Sequence, residues 1–168
     1  MTKTQSVPSE VIIRPASPSD VGTLGDFGTR LVALHHELDP QRFLETTDGT
    51  PSGYSRFLEK KIADPNAVLL VAVQDDAVLG YSYAQIEGYD YMSLRGPAGV
   101  LHDLFVDESR RREGIGRRLL EAALSEIKKH GSARAVLSTA HRNKAAQQLF
   151  ASLGFRPTMV EMTCELND

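Results

Sequence analysis

The chain is predicted to fold as a mixed α/β domain, antiparallel early and with one parallel crossover late. Three observations predict it. Dense Val/Leu-rich runs at 67–74 and 77–87 flank Asp75-Asp76, the pattern of a β-hairpin. Runs at 99–106 and 133–139 bracket an amphipathic helical stretch over 114–130, and strands joined through a helix run parallel. Helical and β-type segments alternate along the chain rather than separating into blocks.

Val11-Ile12-Ile13-Arg14 is a short β-type run ended by Pro15. Ser17-Pro18-Ser19-Asp20 supplies capping residues for a helix over 21–38, which Asp39-Pro40 ends. Gly22, Gly25 and Gly28 lower the intrinsic propensity of that helix. Residues 41–53 are loop-like, and 54–63 places Phe57, Leu58 and Ile62 on one helical face. Residues 88–97 have turn chemistry and carry Tyr89 and Tyr91. From Gly114, the residues Ile115, Leu119, Ala123 and Ile127 keep a helical period. Lys128, Lys129 and His130 suit the C-terminal dipole, and Gly131 is the cap. A helix over 143–153 closes at Gly154, and a last strand is expected over 158–166.

At 168 residues, 41% hydrophobic and 24% charged, the sequence suits one globular domain over 11–168 after a disordered lead-in at 1–10. A net charge of -3 gives no reason to expect nucleic acid or an anionic membrane as partner. No apolar run approaches membrane-spanning length and no signal-peptide core is visible, so the cytoplasm is the expected location. Cys164 is the single cysteine, which excludes an intramolecular disulfide; no metal is expected. The last strand offers an edge for a second copy, so a homodimer is a further expectation.

The most informative stretch is 101–120. A buried-type strand leads into Arg110-Arg111-Arg112-Glu113-Gly114-Ile115-Gly116-Arg117-Arg118, and the glycines open a helix. Free backbone N–H groups at a helix start, slim residues and clustered arginines suit a pyrophosphate. Arginines there oppose the helix dipole unless an anion neutralises them. A dinucleotide fingerprint would need a glycine where Leu119 stands, and no Gly-Lys-Ser/Thr follows for a nucleotide P-loop.

Arg111-x-x-Gly114-x-Gly116 resembles the pyrophosphate-binding motif of the GNAT family of N-acetyltransferases, which pass acetyl from acetyl-CoA to an amine. Asn143-x-x-Ala146-x-x-Leu149-Phe150 and Leu153-Gly154-Phe155 resemble that family's later helix and the Gly-Phe that leaves it. The resemblance implies a mixed, mostly antiparallel sheet of about six to seven strands flanked by about four helices. It also implies acetyl-CoA as cosubstrate, held by Leu104, Phe105 and Val106 along the pantetheine, with Asn143 and Phe150 nearby. The backbone N–H groups of Arg112, Glu113, Gly114, Ile115, Gly116 and Arg117 would cradle the pyrophosphate, and Arg111, which opens the motif, is a further cofactor-binding candidate. Asn143 has a second reading as a helix cap.

The reaction needs a neutral amine, and deprotonating an alkylammonium of pKa ~10.4 at pH 7 costs ~4.6 kcal/mol. A general base is therefore useful. His102 stands where polyamine acetyltransferases of the family carry a glutamate, and an imidazole's ordinary pKa of ~6.5 suits the task. Asp103 matches the family's aspartate beside it. Strand alternation is expected to send these two side chains to opposite faces. The family's tyrosine acid falls on Phe150, which cannot donate a proton, leaving water or Tyr81, Tyr83, Tyr89 or Tyr91. Ser138 stands where ribosomal-protein N-terminal acetyltransferases carry their glutamate, so that mechanism is not supported. Adjacent His35 and His36 point about 100° apart on a helix and chelate poorly; Glu37 and Asp39 beside them are candidates to meet a cationic acceptor. The function expected is an N-acetyltransferase acting on a primary amine of a small molecule or protein by direct transfer. Its competitor is a non-catalytic acyl-CoA-binding module, for which Phe150 is the motive.

Overall fold

The computed structural model describes residues 9–166; most of the expected lead-in, residues 1–8, lies outside the described residues. The elements are β1 Ile12–Pro15, α1 Val21–Leu38, α2 Thr50–Ile62, β2 Ala67–Gln74, β3 Ala77–Glu87, β4 Ala98–Val106, α3 Ile115–Lys129, β5 Ala135–Leu137 and α4 Lys144–Ser152. The strands form one sheet in the order β1-β2-β3-β4-β5. Pairing is antiparallel through β4, and β4 with β5 is parallel. The mixed α/β architecture, the hairpin and the single parallel crossover are thus as the sequence predicts.

Helices cover both faces of the sheet, which explains why β2 reads as a continuous apolar run. Val68, Leu70 and Ala72 pack with Leu79, Leu101, Leu119, Ala123, Ile127 and Phe150 under α3 and α4. Leu69, Val71 and Val73 pack with Leu24, Phe27, Leu31, Leu58, Tyr81 and Phe105 under α1 and α2.

The glycines of α1 are explained by packing rather than propensity. A Cβ at Gly28 would lie 2.2 Å from the Tyr54 ring of α2. Only a hydrogen lets α1 and α2 approach this closely, and the approach seats Tyr54. The helix keeps all of 21–38 because tertiary contact outweighs roughly 1 kcal/mol per glycine.

The sheet has five strands rather than six to seven. The expected strand over 158–166 makes no ladder among the described residues; its side chains are exposed there. β5 is also shorter than the expected 133–139, and α2 starts earlier, at Thr50 with Pro51 in its first turn.

Candidate functional site

The site has two halves meeting along β4. The first is the loop before α3. Asp107 starts a single tight turn by accepting from the Ser109 backbone at 2.9 Å. Arg112 and Gly114 then take left-handed φ values of 67° and 80°, and α3 begins at Ile115. Glycine removes the Cβ penalty at the second position, whereas Arg112 bears it. No side chain caps the helix, so the first N–H groups of α3 have no intrahelical acceptor.

The arginines of this loop are largely paired within the chain. Arg110 donates to Glu113 and Gln74, Arg111 to Glu108 and the Val106 carbonyl, and Arg117 to Glu121 and Ser152. Arg118 lies 3.7 Å from Glu10. Among the described residues, Arg112 makes no side-chain hydrogen bond or ion pair. The loop is tied to α1 by Arg30, which pairs with Asp107 and Glu108 and lies over the Phe27 and Phe105 rings. The Ser109 hydroxyl, then Arg30, hold the Asp107 carboxyl down at about 2.

The parallel ladder between β4 and β5 covers only Gly99–Leu101. Among the described residues, β4 from His102 to Val106 has β3 on one side and no strand on the other. The backbone of Leu104, Phe105 and Val106 is therefore open along one edge, next to the loop. Phe105 is buried and Leu104 and Val106 half-buried, so these side chains anchor the strand. Asn143 accepts from the Ala146 N–H at 3.1 Å, capping α4. Phe150 is buried against Phe155 in the core.

The second half is a cavity of about 280 Å³ lined by Tyr54, Phe57, Tyr83, His102 and Asp103. His102 and Asp103 both face it, contrary to simple alternation. The β3–β4 register shifts here: Tyr83 opposes Asp103 while Ala84 opposes Leu101, leaving His102 as the extra residue of a bulge. A bulge re-aims a side chain in this way.

Asp103 is 9% exposed. Its Oδ2 accepts from the Tyr54 hydroxyl at 2.9 Å and the Tyr81 hydroxyl at 3.0 Å. Oδ1 carries no hydrogen bond among the described residues. Burial pushes the carboxyl up despite both hydroxyls and the nearby His102 and His35. Burial, with the Asp103 charge second, raises both phenols, Tyr54 and the fully buried Tyr81. Two neutral phenols thus hold one oxygen of a desolvated carboxyl.

His102 is more exposed. Its ring stacks on Tyr83 at 5.3 Å, and Nε2 lies 2.8 Å from Glu87 Oε1. A carboxylate only accepts, so Nε2 carries a hydrogen, and in the neutral ring Nδ1 is the lone-pair nitrogen. Glu87 is fixed in turn by Arg95 at 2.7 Å, and Arg95 by a backbone bridge to Asp90. Tyr89 and Tyr91 stack on each other in that loop, 71% and 75% exposed and away from the cavity. His35 and His36 turn to different carbonyls, Leu31 and Phe43.

Sequence reasoning missed Tyr54, Phe57, Glu87 and Arg95. The Tyr54 and Phe57 spacing, three apart on one helix face, was the available signal; nothing local marks Glu87.

A sheet that opens beside β4, a left-handed glycine turn into a helix and an adjacent cavity thus lie side by side. Residues 31–155 match the acetyltransferase (GNAT) family, and the chain belongs to it. It is 30% identical over 112 residues to aminoglycoside N(6')-acetyltransferase type 1 of Klebsiella aerogenes, covering 64% of this chain and 74% of that enzyme. In fold it is similar to a mutant of the BH1408 protein from Bacillus halodurans (TM-score 0.80, 24% identity, 93% and 99% of the two chains). It is also similar to a predicted acetyltransferase from Clostridium acetobutylicum crystallised with acetyl-CoA (TM-score 0.73, 16% identity, 94% and 97%). The protein is an acyltransferase of the GNAT family. Among the described residues no helix is long and apolar enough to cross a membrane, and no cluster of three metal-ligating side chains occurs.

Proposed function

We propose that the protein transfers acetyl from acetyl-CoA directly to a primary amine that enters the cavity over His102 and Asp103. The observation that carries this is the bulge that turns both side chains into one cavity beside the open edge of β4. The unpaired N–H groups at the start of α3, with Gly114 and Arg112 in left-handed conformation, suit a pyrophosphate. The open edge of β4 suits an extended pantetheine arm bonded through backbone.

Asp103 then receives the substrate ammonium. A cation at Oδ1 offsets the desolvation of the carboxylate, and Tyr54, Phe57 and Tyr83 line the same cavity. His102 takes one ammonium proton at Nδ1, directly or through water, and Glu87 stabilises the resulting imidazolium. The neutral amine attacks the thioester carbonyl, a C–N bond replaces the C–S bond, the thiolate leaves, and the second amine proton passes through water to the departing sulfur, giving amide and free thiol. With a thiol pKa of ~8.5 the thiolate leaves without a dedicated acid, which suits Phe150 in the tyrosine's place.

The test is release of free thiol from acetyl-CoA on adding a panel of primary amines, including an aminoglycoside, with the acetylated amine confirmed by mass. Amine-dependent release is expected. Tight acetyl-CoA binding with no release across the panel would instead support a non-catalytic acyl-CoA-binding module.

A further inference from the structure

Three carboxylates line the cavity or brace the residues that do, and only one of them lacks a lysine or arginine partner. On β3 the alternate residues Tyr83, Gln85 and Glu87 share one face. Glu87 is matched by the Arg95 guanidinium at 2.7 Å. Asp64, just after α2, is matched by Lys61, whose Nζ lies 3.4 Å from Oδ2. The rest of Asp64 is also engaged: Gln85 donates to Oδ2 at 3.0 Å, and the Asn66 N–H to Oδ1 at 2.9 Å. Asp103 differs. Two phenols hold its Oδ2, and among the described residues no lysine or arginine pairs with it.

Lys61 is set against the aromatic part of the lining. Its Nζ lies 5.6 Å from the Phe57 ring centroid and 5.8 Å from that of Tyr83, and it donates to Gln85 Oε1 at 3.0 Å. The Tyr83 hydroxyl donates to the same oxygen at 2.8 Å, so its hydrogen is engaged within the protein. Phe57 is 46% exposed and has apolar area left to bury. The cavity thus offers one uncompensated charge, aromatic walls and a fixed cation beside them.

On the acetyl-transfer reading above, on which this rests, we infer that the acceptor is a monoamine with a hydrocarbon body. Its one ammonium sits on Asp103, its apolar part lies against Tyr54, Phe57 and Tyr83, and Lys61 turns away a second cation. A first ammonium meets a buried carboxylate without a counter-charge, so pairing relieves both groups. A second ammonium would lose water close to Lys61 and find Asp64 and Glu87 already matched. A hydrocarbon tail loses only apolar hydration there, which favours binding. Attraction at Asp103 and repulsion at Lys61 together make the discrimination, as specificity generally requires.

Initial rates of thiol release from acetyl-CoA test this with hexylamine, phenylethylamine, hexamethylenediamine and kanamycin. Hexylamine and the diamine share a chain and differ in the far ammonium. For the two monoamines kcat/KM is expected to exceed that for the diamine and kanamycin about tenfold or more. Lys61→Met keeps an apolar stem and frees Asp64, and should bring the diamine to within about threefold of hexylamine. Asp64→Asn leaves Lys61 unmatched and should widen the preference instead, which keeps the test decisive if the first variant misfolds. A wild-type kcat/KM for the diamine or kanamycin equal to or above that for hexylamine overturns the inference while acetyl transfer stands. So does a preference that neither variant moves in its stated direction. No thiol release with any amine overturns both.

Discussion

The loop before α3 and the cavity over His102 are built on opposite principles. The loop is one contiguous segment, exposed, and it presents backbone N–H groups and two left-handed residues. The cavity draws Tyr54 and Phe57 from α2, Tyr83 from β3, and His102 and Asp103 from β4, and it presents side chains around a buried carboxyl. A cosubstrate common to a family can be held by backbone, which tolerates changes in side chain. An acceptor that differs between members has to be read by side chains gathered from several elements. Damage to one half should therefore leave the other half's ligand largely untouched.

The largest expected effect separates the halves most sharply. Asp103→Asn should lower amine turnover about 10²-fold or more while leaving acetyl-CoA affinity within about twofold. It should also raise stability at neutral pH. The folded-state carboxyl lies above its unfolded value, so its ionisation penalises the fold. That penalty is absent below the unfolded value of ~3.9 and grows as pH rises through the folded one. Thermal melts of both proteins at pH 4 and pH 7 check the sign: the gain should be larger at pH 7.

Gly114→Val forces a β-branched residue into φ 80°. It should raise the KM for acetyl-CoA about tenfold and leave the KM for amine unchanged, as initial-rate kinetics will show. A matching rise in the amine KM would mean that the halves are not separable.

Glu87→Gln keeps size and removes the carboxylate that holds the His102 ring. It should lower kcat about tenfold with little change in either KM, and Glu87→Asp should recover part of the loss. A change confined to the amine KM would place Glu87 in binding instead of positioning. The smallest effect is Gly28→Ala, whose methyl meets the Tyr54 ring. Displacing that ring should cost about 1–3 kcal/mol in denaturant unfolding and loosen the Asp103 hydrogen bond.

This contrast also explains what the sequence made legible. The loop was readable because its chemistry is local: Arg111, Gly114 and Gly116 follow a strand and open a helix within a few residues. The hairpin and the crossover were readable for the same reason. The cavity was not, since Tyr54 meets Asp103 across 49 positions of sequence. Nor does local sequence announce the bulge at His102, which reversed the expectation of opposite faces. Gly25 and Gly28 looked like weak points in a helix because their partners, Ser55 and Tyr54, come later in the chain. The 158–166 segment has the residue pattern of a strand, but pairing depends on an edge that pattern alone cannot supply.

The most direct measurement is a crystal structure of the protein with CoA and the most active amine of the panel. The amine nitrogen is predicted to lie within hydrogen-bond reach of Asp103 Oδ1 or His102 Nδ1, about 3 Å, inside the cavity between α2 and β4. An amine seated elsewhere, such as against Tyr89 and Tyr91, with that cavity filled only by water would contradict the account.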